Sequence, residues 1–292
     1  MCIISFPVLS VNSTKIFIGI NNEYTRQITV YCNKVHNKVS NNAMILPVPY
    51  PESVKLIDLT NYHNFFEKLD NCFETITNTR GTIVAGGTRV MLDCNSKIDV
   101  VSVGSYLTSI AKNIDDLVNI DSSVFNISPD CAESLKGYPQ HYGFIVCKLA
   151  QENKKYHPFG YSHQIEKELF IPTKHYHGRT RSQEFFDHFI YTWNCWSDEC
   201  NQHSSYGNCE STKRIKYKIN ENLIYNLKFP PEFNLSILTH IDDTFEHLYK
   251  YRIHGQYPNK DFYASYEEVE PPKYSNLFYK TRPKTNNVCK MM

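Results

Sequence analysis

Glycine is scarce in this sequence, 11 in 292 residues, and no apolar run approaches the roughly 20 residues that a helical bilayer crossing needs. Set against 21 Tyr and 17 Phe, the low glycine content favours strands with aromatic faces over a glycine-cradled nucleotide site. The pair Gly86-Gly87 lacks the spacing of a phosphate loop and reads as a bulge or turn. Charge bias is also missing: 31 Lys+Arg against 30 Asp+Glu leave a net charge of +1. That balance speaks against work by phosphate neutralisation, so nucleic acid is an unfavoured partner. The tyrosine-spaced run KRIKYK (213–218) is read accordingly as a solvated strand face. Internal repeats and low-complexity blocks are absent.

The opening MCIISFPVLSVNS carries no basic segment, and Pro7 interrupts its apolar run, so it does not read as a secretory leader. The expectation is an intracellular, non-secreted protein with no membrane partner. In that compartment the ten cysteines read as free thiols, metal ligands or one reactive group rather than a disulfide framework.

What is present is an ordinary globular balance of 41% hydrophobic and 21% charged residues. The pattern predicts an α+β fold, mostly antiparallel sheets with two or three packed helices. Lys15–Ile20 and Arg26–Lys34 flank Asn21-Asn22-Glu23 as a hairpin. Ala43–Val48 reads as a strand that the prolines of PVPYP should end. Tyr62, Phe65, Phe66, Leu69, Phe73 and Ile76 fall at helical spacing and predict a helix over 61–76, capped at Thr60 or Asn61. A second helix is expected behind Ser105, with Leu107, Ile110, Ala111, Ile114, Leu117 and Val118 on one face, and a short one at Pro129–Lys136.

Strands are expected at Thr82–Leu92, Ile98–Val103, Tyr142–Leu149 and Lys167–Ile171. Ile215–Ile219 and Leu223–Phe229 are expected to pair, and Asp242–Tyr251 to be helical. The domain reading is one globular unit over 1–263, with a sub-boundary near 120–140, and an arm over 264–292.

Chemistry-bearing groups concentrate between Phe170 and Cys209, which holds four of the twelve histidines and three of the ten cysteines. Cys195, Cys200, His203 and Cys209 supply three thiolates and an imidazole, the ligand types of a closed tetrahedral zinc site, on loop-forming sequence whose spacing matches no common finger. Zinc is therefore the expected cofactor. His175 and His177 share one face if Thr173–His177 is a strand. A hairpin through GRTRSQE would bring His188 from the strand Phe185–Trp193 beside them, with Asp187 facing away. Three imidazoles leave an open metal position, the arrangement of a hydrolase. The plainer alternative is a half-exposed sheet carrying histidines.

Cys2 is the third candidate, since removal of Met1 would give a thiol with its own α-amine as base. The Met-Cys start and Gly19-Ile20-Asn21-Asn22-Glu23 resemble N-terminal-nucleophile amidohydrolases of the bile-salt hydrolase type, with Ile20 standing where that pattern has arginine. Over residues 1–193 a broader likeness runs through the Met-Cys start, AMILPVPYP, NFFEKL, VGSY, YGFIVCKL, IPTKHYH and FDHFIY. These segments resemble a protein family without assigned activity from bacteria and giant DNA viruses of the mimivirus type. The resemblance implies a viral protein of the host cytoplasm or virion, acting as a soluble structural or binding protein with viral or host proteins as partners. The alternative it leaves open is a hydrolase using the three histidines or Cys2.

Overall fold

In a computed structural model the chain is described over residues 3–21, 25–73, 98–149, 157–193 and 248–266. It opens with β1 (Ile3–Ile4), β2 (Ser10–Ile20), β3 (Arg26–His36), β4 (Ala43–Pro49) and β5 (Lys55–Ile57), then helix α1 (Phe65–Phe73). Next come β6 (Val101–Val103), β7 (Tyr106–Ala111), a 3-10 turn at Asp115–Asn119, helix α2 (Pro129–Leu135) and β8 (Tyr142–Lys148). The remaining elements are β9 (Phe159–Gln164), β10 (Leu169–Ile171), β11 (Tyr176–His177), β12 (Gln183–Trp193), β13 (Leu248–Pro258) and β14 (Phe262–Ala264).

Two six-stranded sheets carry the fold, ordered β11-β1-β4-β8-β7-β6 and β13-β12-β2-β3-β9-β5, beside a two-stranded pair β10-β14. Pairing is antiparallel except at β1/β11 and β2/β12. The fold is therefore mostly β and antiparallel-rich, with helices as minor packing elements. That is a more strand-dominated architecture than the α+β class expected from the sequence.

Alternation along the strands sorts apolar side chains into three clusters. Ile16, Ile18, Ile190 and Ile253 of the second sheet meet Met44, Leu46, Ile145 and Cys147 of the first, forming the shared core between the sheets. The opposite face of the second sheet, with Phe17, Val30 and Tyr191, is covered by Phe65, Phe66 and Leu69 of α1. The outer face of the first sheet, with Ile45, Phe144 and Val146, is covered by Cys131 and Leu135 of α2 and by Leu117.

Several elements depart from the sequence reading. The stretch behind Ser105 is the strand β7, not a helix. Tyr106, Thr108 and Ile110 are aromatic or β-branched, and β6 and β8 flank the strand on both sides, satisfying its backbone. Leu248–Tyr251 likewise lies in β13, where Tyr251 and Ile253 are buried on one face and all eleven residues pair with β12. Helix α1 begins at Phe65 rather than 61; the preceding residues turn, with the Tyr62 amide donating to Leu59 O.

β4 runs through Pro47 and Pro49, both in register with β8, instead of ending there. The reason is that β1 pairs only with Met44 and Ile45, so among the described residues the other flank of β4 is an edge at these prolines, where a missing N–H costs no ladder bond. The short helix at 129 is borne out as α2, N-capped by Ser128, whose Oγ accepts from the Cys131 amide at 3.2 Å. The predicted elements at 82–92, 215–219 and 223–229 lie outside the described residues.

Candidate functional site

The hairpin expected between the two histidine segments is not formed. β11 pairs with β1 in the first sheet, and β12 pairs with β2 and β13 in the second. Only Tyr176–His177 is strand; Thr173–His175 is not. His175 and His188 nevertheless meet, because the chain crosses from one sheet to the other between them. They approach at one end of the sandwich rather than across a hairpin.

Gly178 starts that crossing at φ +83°, and a Cβ there would stand 2.7 Å from Pro7 Cγ, so both conformation and space call for glycine. Asn259 fixes the approach from the other side. Its Oδ1 accepts from the His175 amide at 2.7 Å, and its Nδ2 donates to His175 O at 2.9 Å and Arg181 O at 3.0 Å. Asp261 holds the preceding residues, its Oδ1 accepting from the Thr173 and Lys174 amides at 2.7 and 2.8 Å.

The Nε2 atoms of His175 and His188 lie 3.3 Å apart, and both residues are buried. The Asp187 amide donates to His188 Nδ1 at 3.1 Å. A neutral ring that accepts at Nδ1 carries its proton on Nε2, so His188 donates and His175 Nε2 accepts. Burial holds both imidazoles below the usual histidine range, reinforced by the positive charge of the chain's N-terminus. His177 is pushed down to about 4 by burial, then the N-terminal charge, then Arg181. Its ring centroid is 5.5 Å from that of His175, and its Nε2 is buried with no hydrogen-bond partner.

The three predicted histidines are thus brought together, but not around a common point. Among the described residues no three His, Cys, Asp or Glu side chains are arranged to hold a metal ion. Chelation by both Nε2 atoms would also force the His188 proton onto Nδ1, against the Asp187 N–H. The pair as built is an internal hydrogen bond between neutral rings. Cys2, Cys195, Cys200, His203 and Cys209 lie outside the described residues.

A cavity of about 250 Å³ opens beside the histidines. Its origin is a split in the second sheet. β2 and β12 pair in register from Thr14 and His188 onward, yet both strands continue on the other side of that point as Ser10–Ser13 and Gln183–Asp187. A bulge between Asn12 and Lys15, with Ser13 at φ 53°, turns β2 away from its neighbour. Val11, Asn12 and Thr14 form one wall; Glu184, Phe185 and Asp187 form the other; His175, His177 and His188 close the inner end.

Phe185 stands at the rim, 51% exposed, with the His254 ring edge-on at 5.0 Å. Arg181 Nε lies 3.5 Å from Glu184, and His254 Nδ1 lies 3.5 Å from Asp187. Asp187 does face the opposite way from His188, as its place in the strand predicts, and still reaches the cavity because no described strand pairs with that flank there. Sequence reasoning missed Glu184, Phe185 and Asn259. Strand alternation could have put Glu184 on the His188 face, but the split depends on a bulge that carries no glycine.

No family model matches the sequence. Among solved structures the chain is similar to baculovirus P35, at 12% identity and a TM-score of 0.48, covering 89% of this chain and 97% of that one. A mutated P35 after caspase cleavage gives 14% identity and a TM-score of 0.47, covering 89% and 99%. A P35 chain in a complex with caspase-8 gives 12% identity and a TM-score of 0.39, covering 87% and 90%.

Proposed function

We propose that this protein works by binding another protein, taking an extended segment of it into the split between β2 and β12. The observation that carries the reading is the interrupted pairing below Thr14 and His188. There two strands run on with facing flanks that no described strand fills, a cavity lies between them, and an aromatic ring stands at the rim. Unpaired strand flanks give affinity through main-chain hydrogen bonds, and a side-chain-sized pocket beside them gives selectivity. The likeness of residues 1–193 to proteins of giant DNA viruses supports a viral or host protein as the partner. The ligand set Cys195, Cys200, His203 and Cys209 supports a structural zinc loop in the same binding protein.

The test is selection of peptides from a random display library on the full-length protein, followed by amide-shift mapping of the selected peptides. Caspase-8, the protein named in complex with P35, serves as one defined protein probe in the same panel. The expected result is peptide-induced shifts confined to residues 10–14 and 183–188, with binding abolished by Thr14→Trp. Selected peptides that shift other surfaces only, and bind Thr14→Trp unchanged, would overturn the proposal.

A further inference from the structure

The split reads as a binding site for an extended segment; its cavity also carries the chemistry of one side chain of that segment. We infer that the cavity receives an arginine. This rests on the protein-binding reading above and adds the identity of the anchoring side chain.

Two carboxylates stand among the residues of the cavity wall. Glu184 and Asp187 contribute carboxylates that accept only. The groups facing them are loosely held. Arg181 reaches Glu184 with a contact of 3.5 Å from a side chain that is half exposed, and His254 reaches Asp187 at the same distance from a similar position. The site thus carries two carboxylates at its wall, with weak internal compensation that an incoming cation can displace.

Among side chains, a guanidinium answers this arrangement most fully. It presents five donors in a planar fork, enough for two carboxylates together. Its flat face suits the ring of Phe185 at the rim, where cations stack on aromatic faces. A lysine ammonium offers three donors from one point and no face to stack. A cavity of about 250 Å³ has room for one such side chain.

The experiment is a titration of the full-length protein with N-acetyl-arginine amide, followed by amide and imidazole NMR shifts. The lysine, leucine and glutamate amides are run in parallel. Arginine is expected to shift Glu184, Asp187 and His177, and to bind at least about tenfold more tightly than the other three, which is about 1.4 kcal/mol. The double variant Glu184→Gln/Asp187→Asn, whose spectrum reports whether it folds, is expected to lose that preference. Arg181→Ala is expected to bind arginine more tightly, since it frees Glu184; a purely structural role for Glu184 would not produce a gain.

Equal binding of the leucine or glutamate amide at these residues would overturn the inference, as would arginine binding unchanged in the double variant. Equal binding of lysine would overturn the choice of arginine. If library peptides occupy the split with no arginine preference, the anchor is wrong and the binding site stands. If no peptide shifts residues 10–14 and 183–188, the binding site itself is wrong.

Discussion

His188 donates from Nε2 to Nε2 of His175 across 3.3 Å, joining a strand of one sheet to a segment that leads into the edge strand of the other. Both rings are buried, so the bond is made where water does not compete for either nitrogen. Replacing one partner leaves the other with an unmet polar atom, and replacing both leaves none. His175→Leu and His188→Leu are each expected to lose about 2–3 kcal/mol in urea denaturation, and the double variant to lose less than the sum of the two. Additive losses would show that the two rings do not interact.

Proton linkage gives a second expectation. His157, His163, His175, His177 and His188 all have pKa values lowered in the fold, with His163 and His177 at about 4. Burial is the leading cause for each. Near the ordinary value of 6.5 the unfolded chain therefore binds protons that the folded chain does not. With more protons on the unfolded state, stability rises with pH between about 4 and 6.5 and flattens above. Each histidine contributes up to about 1.4 kcal/mol per pH unit in that window. Asp261, whose carboxyl burial raises above its ordinary 3.8, works in the opposite sense from that pH upward. Urea midpoints measured from pH 4.5 to 7.5 are expected to climb and then level off, with a shallower climb in His163→Leu.

Asp70 on α1 gathers Lys15 at 2.6 Å, Lys250 at 2.7 Å and the Tyr191 hydroxyl at 2.5 Å, tying the helix to three strands of the second sheet. Burial alone would raise its carboxyl, but the hydrogen bonds from Lys15, Lys250 and Tyr191 outweigh that and hold it below the usual value. Its contribution is present above the unfolded carboxyl pKa and is lost as pH falls through the folded one. Asp70→Asn leaves two partly buried lysines without their counter-charge. It is expected to cost about 2–3 kcal/mol, short of a fully buried pair because these side chains keep 20–23% of their exposure. The cost should shrink in a Lys250→Met background, as measured by a double-mutant cycle.

Much of the strand content was legible. Lys15–Ile20, Arg26–Lys34, Tyr142–Leu149 and Phe185–Trp193 all fall in strands, because runs of Ile, Val, Phe and Tyr leave few alternatives. Local pattern failed where a short apolar run fits both periods, as behind Ser105. There the strand partners β6 and β8 decide, and they are distant in sequence. Proximity of His175, His177 and His188 was also legible, but for the wrong reason. A five-residue connection can close a hairpin or cross between sheets, and the choice depends on β1 capturing Tyr176–His177. The cavity was not legible at all, because it is made by pairing that stops.

The cysteine-rich segment yields an expectation of its own. If Cys195, Cys200, His203 and Cys209 bind one zinc, elemental analysis of the purified protein gives about one zinc per chain, and Cys200→Ser loses it together with thermal stability. Zinc retained in Cys200→Ser would move the metal to other ligands. Protein purified without zinc would remove the structural-zinc reading.

Asn259 separates the site's geometry from its chemistry. Its side chain touches neither carboxylate; it holds the His175 backbone at both N–H and C=O and also binds Arg181 O. Asn259→Ala therefore deletes three hydrogen bonds and frees the segment that carries His175 and His177, at an expected cost of about 2–3 kcal/mol. Arginine amide binding is expected to weaken severalfold while its preference over lysine stays, since Glu184 and Asp187 remain in place. Asn259→Asp should restore the bond from the His175 amide but not the two that need an N–H donor, so it is expected to fall between. Loss of the preference along with the affinity would place Asn259 in direct contact with the bound side chain and contradict its role as a positioning residue.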